Sequence, residues 1–169
     1  ARAIYKLGWT YYRMDDFEHA VESFTRLLDH YVASARKGEK PGGDVWPEAV
    51  QYMAISFADS RGSPVEAATR WFQSIGGRPY EAEVYRRLGD VLFDETRHGE
   101  AVAAYQAFLK AAPLSPDAPR VQAKIVAAWQ RERRFDREAQ EREVLVRAYG
   151  EDGPWARQNG ADRAVMREA

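Results

Sequence analysis

Hydrophobic and small residues form a spaced set along this chain, and the set is repeated. The first copy consists of Leu7, Gly8, Tyr11, Ala20 and Phe24. The same set returns 81 positions later as Leu88, Gly89, Leu92, Ala101 and Tyr105. A weaker copy between them consists of Met53, Ala54, Phe57, Ala67 and Trp71. We therefore expect a stack of similar helical units, because self-similarity at a regular spacing is the sequence signature of repeat architectures.

Polar and turn-forming residues divide the chain into predicted helices. These helices cover residues 1–14, 17–33, 47–59, 64–75, 80–95, 98–111, 118–132 and 135–149. Asp16 is the predicted N-cap of the second helix, because its side chain can accept from a free backbone N–H there. Pro47 fits the first turn of the third helix, and Gly76 with Gly77 ends the fourth. A short helix is expected around Trp155, followed by the start of a truncated one.

The step from Ala67 to Ala101 is 34 residues, which is the period of the tetratricopeptide repeat. The chain resembles that family in the spaced residues above, and Pro113 stands at the family's closing proline. The resemblance implies an all-α, right-handed superhelical solenoid of antiparallel helix pairs. It places repeats at about 1–34, 47–81, 82–115 and 118–150 of one domain, 1–169. Residues 151–169 then begin a truncated element, and 36–44 form an inserted, mobile loop because they are charged and rich in glycine.

Small residues within the helices predict close helix crossings. Gly8 and Gly89 lie inside predicted helices, where glycine costs up to about 1 kcal/mol relative to alanine. The close approach of a partner helix would compensate. We therefore expect the two glycines and Ala54 to face the second helices of their own repeats near Ala20, Ala67 and Ala101.

The residues around these crossings complete the predicted core. Leu7 and Tyr11 are expected to fill the space beside Gly8. The fourth repeat is degenerate, and Ala139 is expected to stand there in the place of Ala20 and Ala101.

Composition and motifs exclude several kinds of chemistry. The chain of 169 residues has a formal net charge of −1, which gives no bulk attraction to nucleic acid, and it has no cysteine for disulfides or thiolate sites. No run approaches 18 apolar residues, so no membrane insertion is expected. His19, His30 and His98 stand apart, without a second metal ligand at helical spacing. We expect no enzyme activity, no cofactor, no metal and no nucleic-acid partner.

The resemblance to tetratricopeptide repeats also implies a binding surface. In that family the first helix of each repeat lines the concave face, mostly through its positions 2, 5, 6, 9, 12 and 13. In the first repeat these positions hold Arg2, Tyr5, Lys6, Trp9, Tyr12 and Arg13. The residues expected to anchor a partner protein or peptide are Tyr5, Trp9, Tyr12, Tyr52, Arg86, Arg87 and Phe93.

Two alternatives to this surface stay open. Tyr5, Trp9 and Tyr12 could instead pack against a preceding repeat that is missing from this chain. The whole chain could also be a structural or oligomerisation segment with no ligand in the groove. One known mode is not expected: the positions of the family's carboxylate clamp hold Tyr5, Trp9, Tyr52, Glu83 and Arg87, of which only Arg87 fits.

A second resemblance concerns location. Residues 105–118 are similar to the joints of tetratricopeptide proteins in the Gram-negative cell envelope, and 27–31 with 149–156 are similar to those of myxobacterial envelope proteins. A periplasmic or outer-membrane-associated location is therefore favoured over the cytoplasm. The chain begins and ends inside helical patterns, so it is interpreted as a fragment whose uncapped ends allow self-association.

Overall fold

A computed structural model describes residues 1–39, 45–150 and 153–160. These residues form nine helices and no strands, which confirms the prediction of an all-helical solenoid. The helices are α1 (Arg2–Arg13), α2 (Phe17–Arg36), α3 (Trp46–Ala58), α4 (Pro64–Ser74), α5 (Glu81–Asp94), α6 (His98–Ala111), α7 (Ala118–Arg131), α8 (Phe135–Tyr149) and α9 (Pro154–Asn159). The last five residues of the predicted loop, 40–44, and the predicted truncated helix at 161–169 lie outside the described residues.

Consecutive helices pack as pairs, and the pairs are stacked. Extensive contacts join α1 to α2, α5 to α6 and α7 to α8, while α3 packs on α2 and α5, and α7 on α6. The core between them contains fully buried Leu27, Met53, Leu88 and Leu92. Burial of such side chains stabilises the fold by about 1.5–3 kcal/mol each.

Three of the turns within helix pairs share one conformation. Each has three residues, and the middle one, Asp15, Thr96 or Arg133, has φ between 55° and 61°. The residue after it donates its N–H to the carbonyl five positions earlier, as from Arg97 to Leu92 at 2.8 Å. This bond satisfies a free carbonyl at the helix end and compensates for the left-handed residue. The α3–α4 turn is different, because it has five residues and Gly62 at φ 88°.

Because of the longer α3–α4 turn, the core positions of α4 lie one residue later than the sequence predicts. Ala68 and Phe72 are fully buried in α4 and occupy the places that the sequence interpretation gave to Ala67 and Trp71. Those two residues are only half-buried. The prediction that Ala67 and Trp71 face the core was wrong. It allowed for one residue more between α3 and α4 than in the other pairs, whereas the α3–α4 turn contains two more.

Gly8 and Gly89 lie where two helices cross, as predicted, but the side chains that they contact most closely differ from those predicted. A Cβ atom on Gly8 would lie 2.9 Å from Cε1 of the Phe24 ring, and one on Gly89 would overlap the ring of Tyr105. Both glycines therefore face the second helices of their own pairs, as predicted. The close contact falls on these rings, one turn beyond Ala20 and Ala101.

The fourth pair departs from this arrangement. Counted from the shared turn, Glu138 takes the place of Ala101, and Val126 takes the place of Gly89. The prediction for Ala139 was wrong by one residue, and its side chain is exposed. Because Val126 carries a side chain at the crossing point, α8 cannot approach α7 as α6 approaches α5. None of the residues of α8 is fully buried.

Leu7 does not fill the core as expected. It is 42% exposed, whereas the equivalent Leu88 is 0% exposed. The reason is neighbouring structure: α3 and α4 cover α5, but no described helix covers the corresponding face of α1.

The predicted short helix after residue 153 is confirmed as α9. Its Trp155 is 1% exposed and donates its Nε1–H to the carbonyl of Ser115 at 2.7 Å. Tyr149 packs edge-on against the same indole, with ring centroids 6.0 Å apart. The helix α9 is thereby held on the connection between α6 and α7.

Candidate partner-binding surface

The predicted anchors Tyr5, Tyr12 and Tyr52 meet beside the core residue Phe24. We call these four residues the aromatic cluster. Tyr52 of α3 stacks on Phe24 of α2, with ring centroids 6.0 Å apart and an interplanar angle of 15°. Tyr5 and Tyr12 of α1 lie 6.5 and 5.3 Å from the Tyr52 ring. Burial raises the pKa of Tyr5 and of Tyr12 above the ordinary value. The buried sides of Tyr5 and Tyr12 thus lie against α2 and α3, that is, against their own pair and the following one.

Trp9 has a different environment from these tyrosines. It is 39% exposed, and the Arg13 guanidinium lies over its indole, 5.3 Å from the ring centroid. Together with Tyr5, Lys6 and Thr10 it lines a cavity of about 310 Å³. A large aromatic side chain is therefore available at the surface of α1.

A second cavity, of about 320 Å³, lies on α5 at an equivalent place. It is lined by Arg87, Asp90, Phe93, Asp94, Tyr105 and Lys124. Arg87 and Asp90 stand 81 positions after Lys6 and Trp9 of the first cavity. The repeat of the sequence is thus accompanied by a repeat of surface depressions on the first helices of two pairs.

Asp90 is the centre of the polar contacts in this second cavity. Its side chain is 14% exposed, and Oδ1 accepts from the Tyr105 hydroxyl at 3.0 Å and from Lys124 Nζ at 2.6 Å. The other oxygen lies 3.7 Å from Arg86 and 4.0 Å from Arg87. Burial, followed by the Asp90 carboxylate, raises the pKa of Tyr105. This hydroxyl consequently stays protonated and donates to Asp90.

The seven predicted anchors therefore lie in two groups. The aromatic ones on α1 and α3 are near each other, whereas Arg86, Arg87 and Phe93 are on α5. Sequence reasoning left Tyr105 out because it stands at the core position of Phe24. The exchange of phenylalanine for tyrosine at a repeated position was the available signal, because a buried hydroxyl needs a partner.

Comparison with known proteins locates the family resemblance in the first helix pair. Residues 2–34 match the tetratricopeptide repeat family. The match covers α1 and all but the last two residues of α2. A comparison with curated proteins finds no match. Tetratricopeptide repeats typically act as non-catalytic scaffolds for protein–protein interaction.

A larger cavity lies between α2, α3 and α4. It has a volume of about 540 Å³ and is lined by Phe17, Glu18, Val21, Ser56, Phe57, Ser60, Ala67, Arg70, Trp71 and Ser74. Trp71 bridges it by donating its Nε1–H to Thr25 Oγ1 at 3.1 Å. None of the predicted anchors lines this space, which opens where α4 stands away from α2 and α3.

The described residues offer neither a metal-binding cluster nor a membrane-spanning helix. Within 1–39, 45–150 and 153–160, histidine, aspartate and glutamate side chains form no group of three that could hold a metal ion. The helices in the same part of the chain are all too short or too polar to cross a membrane.

Proposed function

We propose that this chain binds an extended or helical segment of a partner protein along its first helices. The anchors are Tyr5, Trp9, Tyr12, Tyr52, Arg86, Arg87 and Phe93. The observation that carries the proposal is the pair of equivalent cavities on α1 and α5, because four of the seven anchors line them. A segment lying across α1, α3 and α5 would contact both depressions.

The chemistry of the anchors supports this proposal. Aromatic and arginine side chains dominate the energetics of many interfaces, because they combine large contact area with few rotatable bonds or a rigid donor fork. Trp9 presents its indole at the surface and Arg87 is 43% exposed. Both side chains project from helices that are held by a packed core.

Selection from a peptide library tests the proposal. A random 12-residue library, displayed through the C-terminus of each peptide, is selected on the purified chain and sequenced. We expect a peptide motif whose binding is weakened by Trp9→Ala and by Phe93→Ala. Phe135→Ala is the matched control, since Phe135 is 66% exposed on α8 and should leave binding unchanged. Absence of any enriched motif, or equal loss in the control, would contradict the proposal.

A second candidate function is self-association, which is supported by the exposed apolar face of α1. Leu7 of α1 and Met14, the residue directly after this helix, are 42% and 68% exposed, whereas Leu88, at the equivalent position of α5, is 0% exposed. Light scattering after size exclusion distinguishes the two functions. A discrete oligomer that Leu7→Glu dissociates would favour a structural segment, whereas a monomer that binds the selected peptide favours the scaffold.

The location in a bacterial cell envelope stays a prediction from the sequence of residues 105–118, 27–31 and 149–156. The N-terminal sequence of the parent gene product tests it directly. A signal sequence or a lipid-attachment site would support an envelope location.

A further inference from the structure

One stripe of α1 is basic along its whole length. Arg2, Lys6, Trp9 and Arg13 follow each other at helical spacings of three or four residues, so their side chains share one face. All four are exposed. The helix contains no aspartate or glutamate. We call these four residues the basic stripe.

The cations of the basic stripe have no ionic partners within the described part of the chain. Neither Arg2, Lys6 nor Arg13 lies within 4.0 Å of a carboxylate there. Some exposed arginines elsewhere do have such partners, for example Arg142 with Glu138 at 2.7 Å and Arg147 with Glu143 at 3.7 Å. Arg2 and Lys6 are also like charges four residues apart, which destabilises a helix slightly. An approaching carboxylate would relieve this repulsion.

The acidic residues that act on the Tyr5 and Tyr12 hydroxyls are on neighbouring elements. Glu48 at the start of α3 acts on the Tyr5 hydroxyl, while Asp59 at the end of α3 and Asp15 in the first turn act on Tyr12. None of the residues that line the cavity beside Trp9 is acidic, and one of them, Lys6, is a cation.

Trp9 gives the stripe an apolar centre. The cavity that it lines with Tyr5, Lys6 and Thr10 has a volume of about 310 Å³, enough space for an apolar side chain of a ligand. Arg13 stacks on the indole and fixes its plane. An apolar contact is thus bracketed by cations, with Lys6 one turn before it and Arg13 one turn after it.

From this arrangement we propose that the basic stripe binds an acidic segment of the partner protein, with an apolar or aromatic side chain seated against Trp9 and carboxylates on either side of it. The proposal rests on the proposed function, because it specifies the chemistry of the same partner segment. Charge complementarity selects the segment, since three exposed cations attract carboxylates and disfavour a basic peptide. The apolar contact supplies burial that charge alone does not give.

The peptide selection described above also tests this proposal. We expect aspartate or glutamate to be enriched on both sides of an apolar or aromatic position. The same library is selected on the variant Arg2→Gln, Lys6→Gln, Arg13→Gln, and the acidic enrichment should disappear there. The control variant Arg70→Gln, Arg137→Gln, Arg147→Gln removes the same charge from exposed positions on α4 and α8 and should retain it.

Affinity measurements with one selected peptide give the size of the effect. Replacement of its acidic residues by glutamine should weaken binding about tenfold, the sum expected of two or three exposed ion pairs. The triple variant of the basic stripe should show a loss of the same size. Raising the salt concentration should weaken the original peptide more than the glutamine version. Circular dichroism confirms that each variant is folded, and a single Lys6→Gln variant replaces the triple one if it is not.

The possible outcomes separate this proposal from the function on which it rests. Selection of apolar or basic motifs without acidic residues would overturn the acidic partner and leave the scaffold function standing. No enriched motif at all would contradict both. Tighter binding of a fluorescent 12-nucleotide single strand than of any selected peptide would overturn the proposal in favour of nucleic acid, which also combines stacking with negative charge.

Discussion

Gly89 lies so close to the ring of Tyr105 that no side chain can be added to it without moving that ring. The equivalent pair, Gly8 and Phe24, has the same relationship. In the fourth pair the crossing positions hold Val126 and Arg142, and the second helix there has no fully buried residue. The glycine and the ring together therefore determine how closely the two helices of a pair approach.

The first prediction concerns this crossing. Gly89→Ala should destabilise the chain by about 1–3 kcal/mol, because the new methyl group displaces the Tyr105 ring from a packed core. The intrinsic preference of alanine for helices opposes this loss by up to about 1 kcal/mol. Urea unfolding followed by circular dichroism measures the difference.

Gly99→Ala is the control for that variant. Gly99 lies in α6, and nothing is within 4 Å of the position that its Cβ would take. It should therefore increase stability by up to about 1 kcal/mol. Equal effects of the two substitutions would show that the crossing is not closely packed.

Much of the fold follows from sequence because helix ends carry strong local signals. The N-cap Asp16, the proline that opens α3 and the paired glycines after α4 all lie where the sequence predicts them. The register inside the second and fourth pairs was harder to predict. Ala68 replaces Ala67 because turn length is set by backbone conformation that the spacing of apolar residues does not report. Glu138 replaces Ala139 although the α7–α8 turn has the common length of three residues, because the crossing position there does not hold a small residue that marks it in the sequence.

Prediction of the surface depended on neighbours that sequence does not reveal. The repeated pattern gives Leu7 and Leu88 the same position, yet only Leu88 is covered by other helices. The exposure of the predicted anchors also depends on their neighbours. Tyr5 and Tyr12 are half-buried against Phe24 and Tyr52, whereas Trp9, on the same helix, is 39% exposed. The part that each plays in binding stays a prediction.

A second prediction follows from the two leucines. Leu88→Ala should cost about 2–5 kcal/mol, since it removes a fully buried side chain and leaves a cavity. Leu7→Ala should cost less than about 1 kcal/mol, because the side chain is partly in water. Comparing their urea midpoints at equal m-value checks the prediction. A large loss for Leu7→Ala would indicate that another chain covers that face in solution.

A third prediction concerns the hydroxyl of Tyr105. Tyr105→Phe keeps the ring and removes the donor to Asp90, so it should destabilise the chain by about 1–2 kcal/mol. Phe24 shows that a phenyl ring fits the equivalent position. Asp90→Asn keeps an acceptor for the hydroxyl and serves as the comparison. If Tyr105→Phe has no effect on the unfolding midpoint, the hydrogen bond contributes nothing measurable.

The N-cap of α2 gives a fourth prediction, on pH. His19 Nδ1 lies 2.8 Å from the Asp16 carboxylate. The hydrogen bond lowers the pKa of Asp16 below its ordinary value of 3.8 and raises the pKa of His19 above 6.5. The contribution of Asp16 to the stability of the fold is present above pH 3.8 and is lost as the pH falls through the lowered pKa. The contribution of His19 to the stability of the fold is present below pH 6.5 and is lost as the pH rises through the raised pKa.

Melting temperatures of the wild type and His19→Gln test this sign. The melting temperature of the wild type should exceed that of His19→Gln by more at about pH 5 than at about pH 9. The reason is that only the lower pH keeps the imidazole charged beside Asp16. In an Asp16→Asn background the cap remains and the charge is gone. There, the effect of His19→Gln should change much less with pH, because only the weaker attraction of Glu22 and Glu18 still favours the charged imidazole. A constant difference in the unmodified background would contradict the ion pair.

The central claim is that Trp9 is a surface anchor for a partner segment, and one variant measured in two ways tests it most directly. With the selected peptide as ligand, Trp9→Ala should weaken binding by about 2 kcal/mol or more, while the free energy of unfolding changes by less than about 1 kcal/mol. Phe135→Ala should change neither quantity appreciably. A loss of stability of about 3–5 kcal/mol for Trp9→Ala would identify a core residue instead, and unchanged peptide affinity would contradict the account.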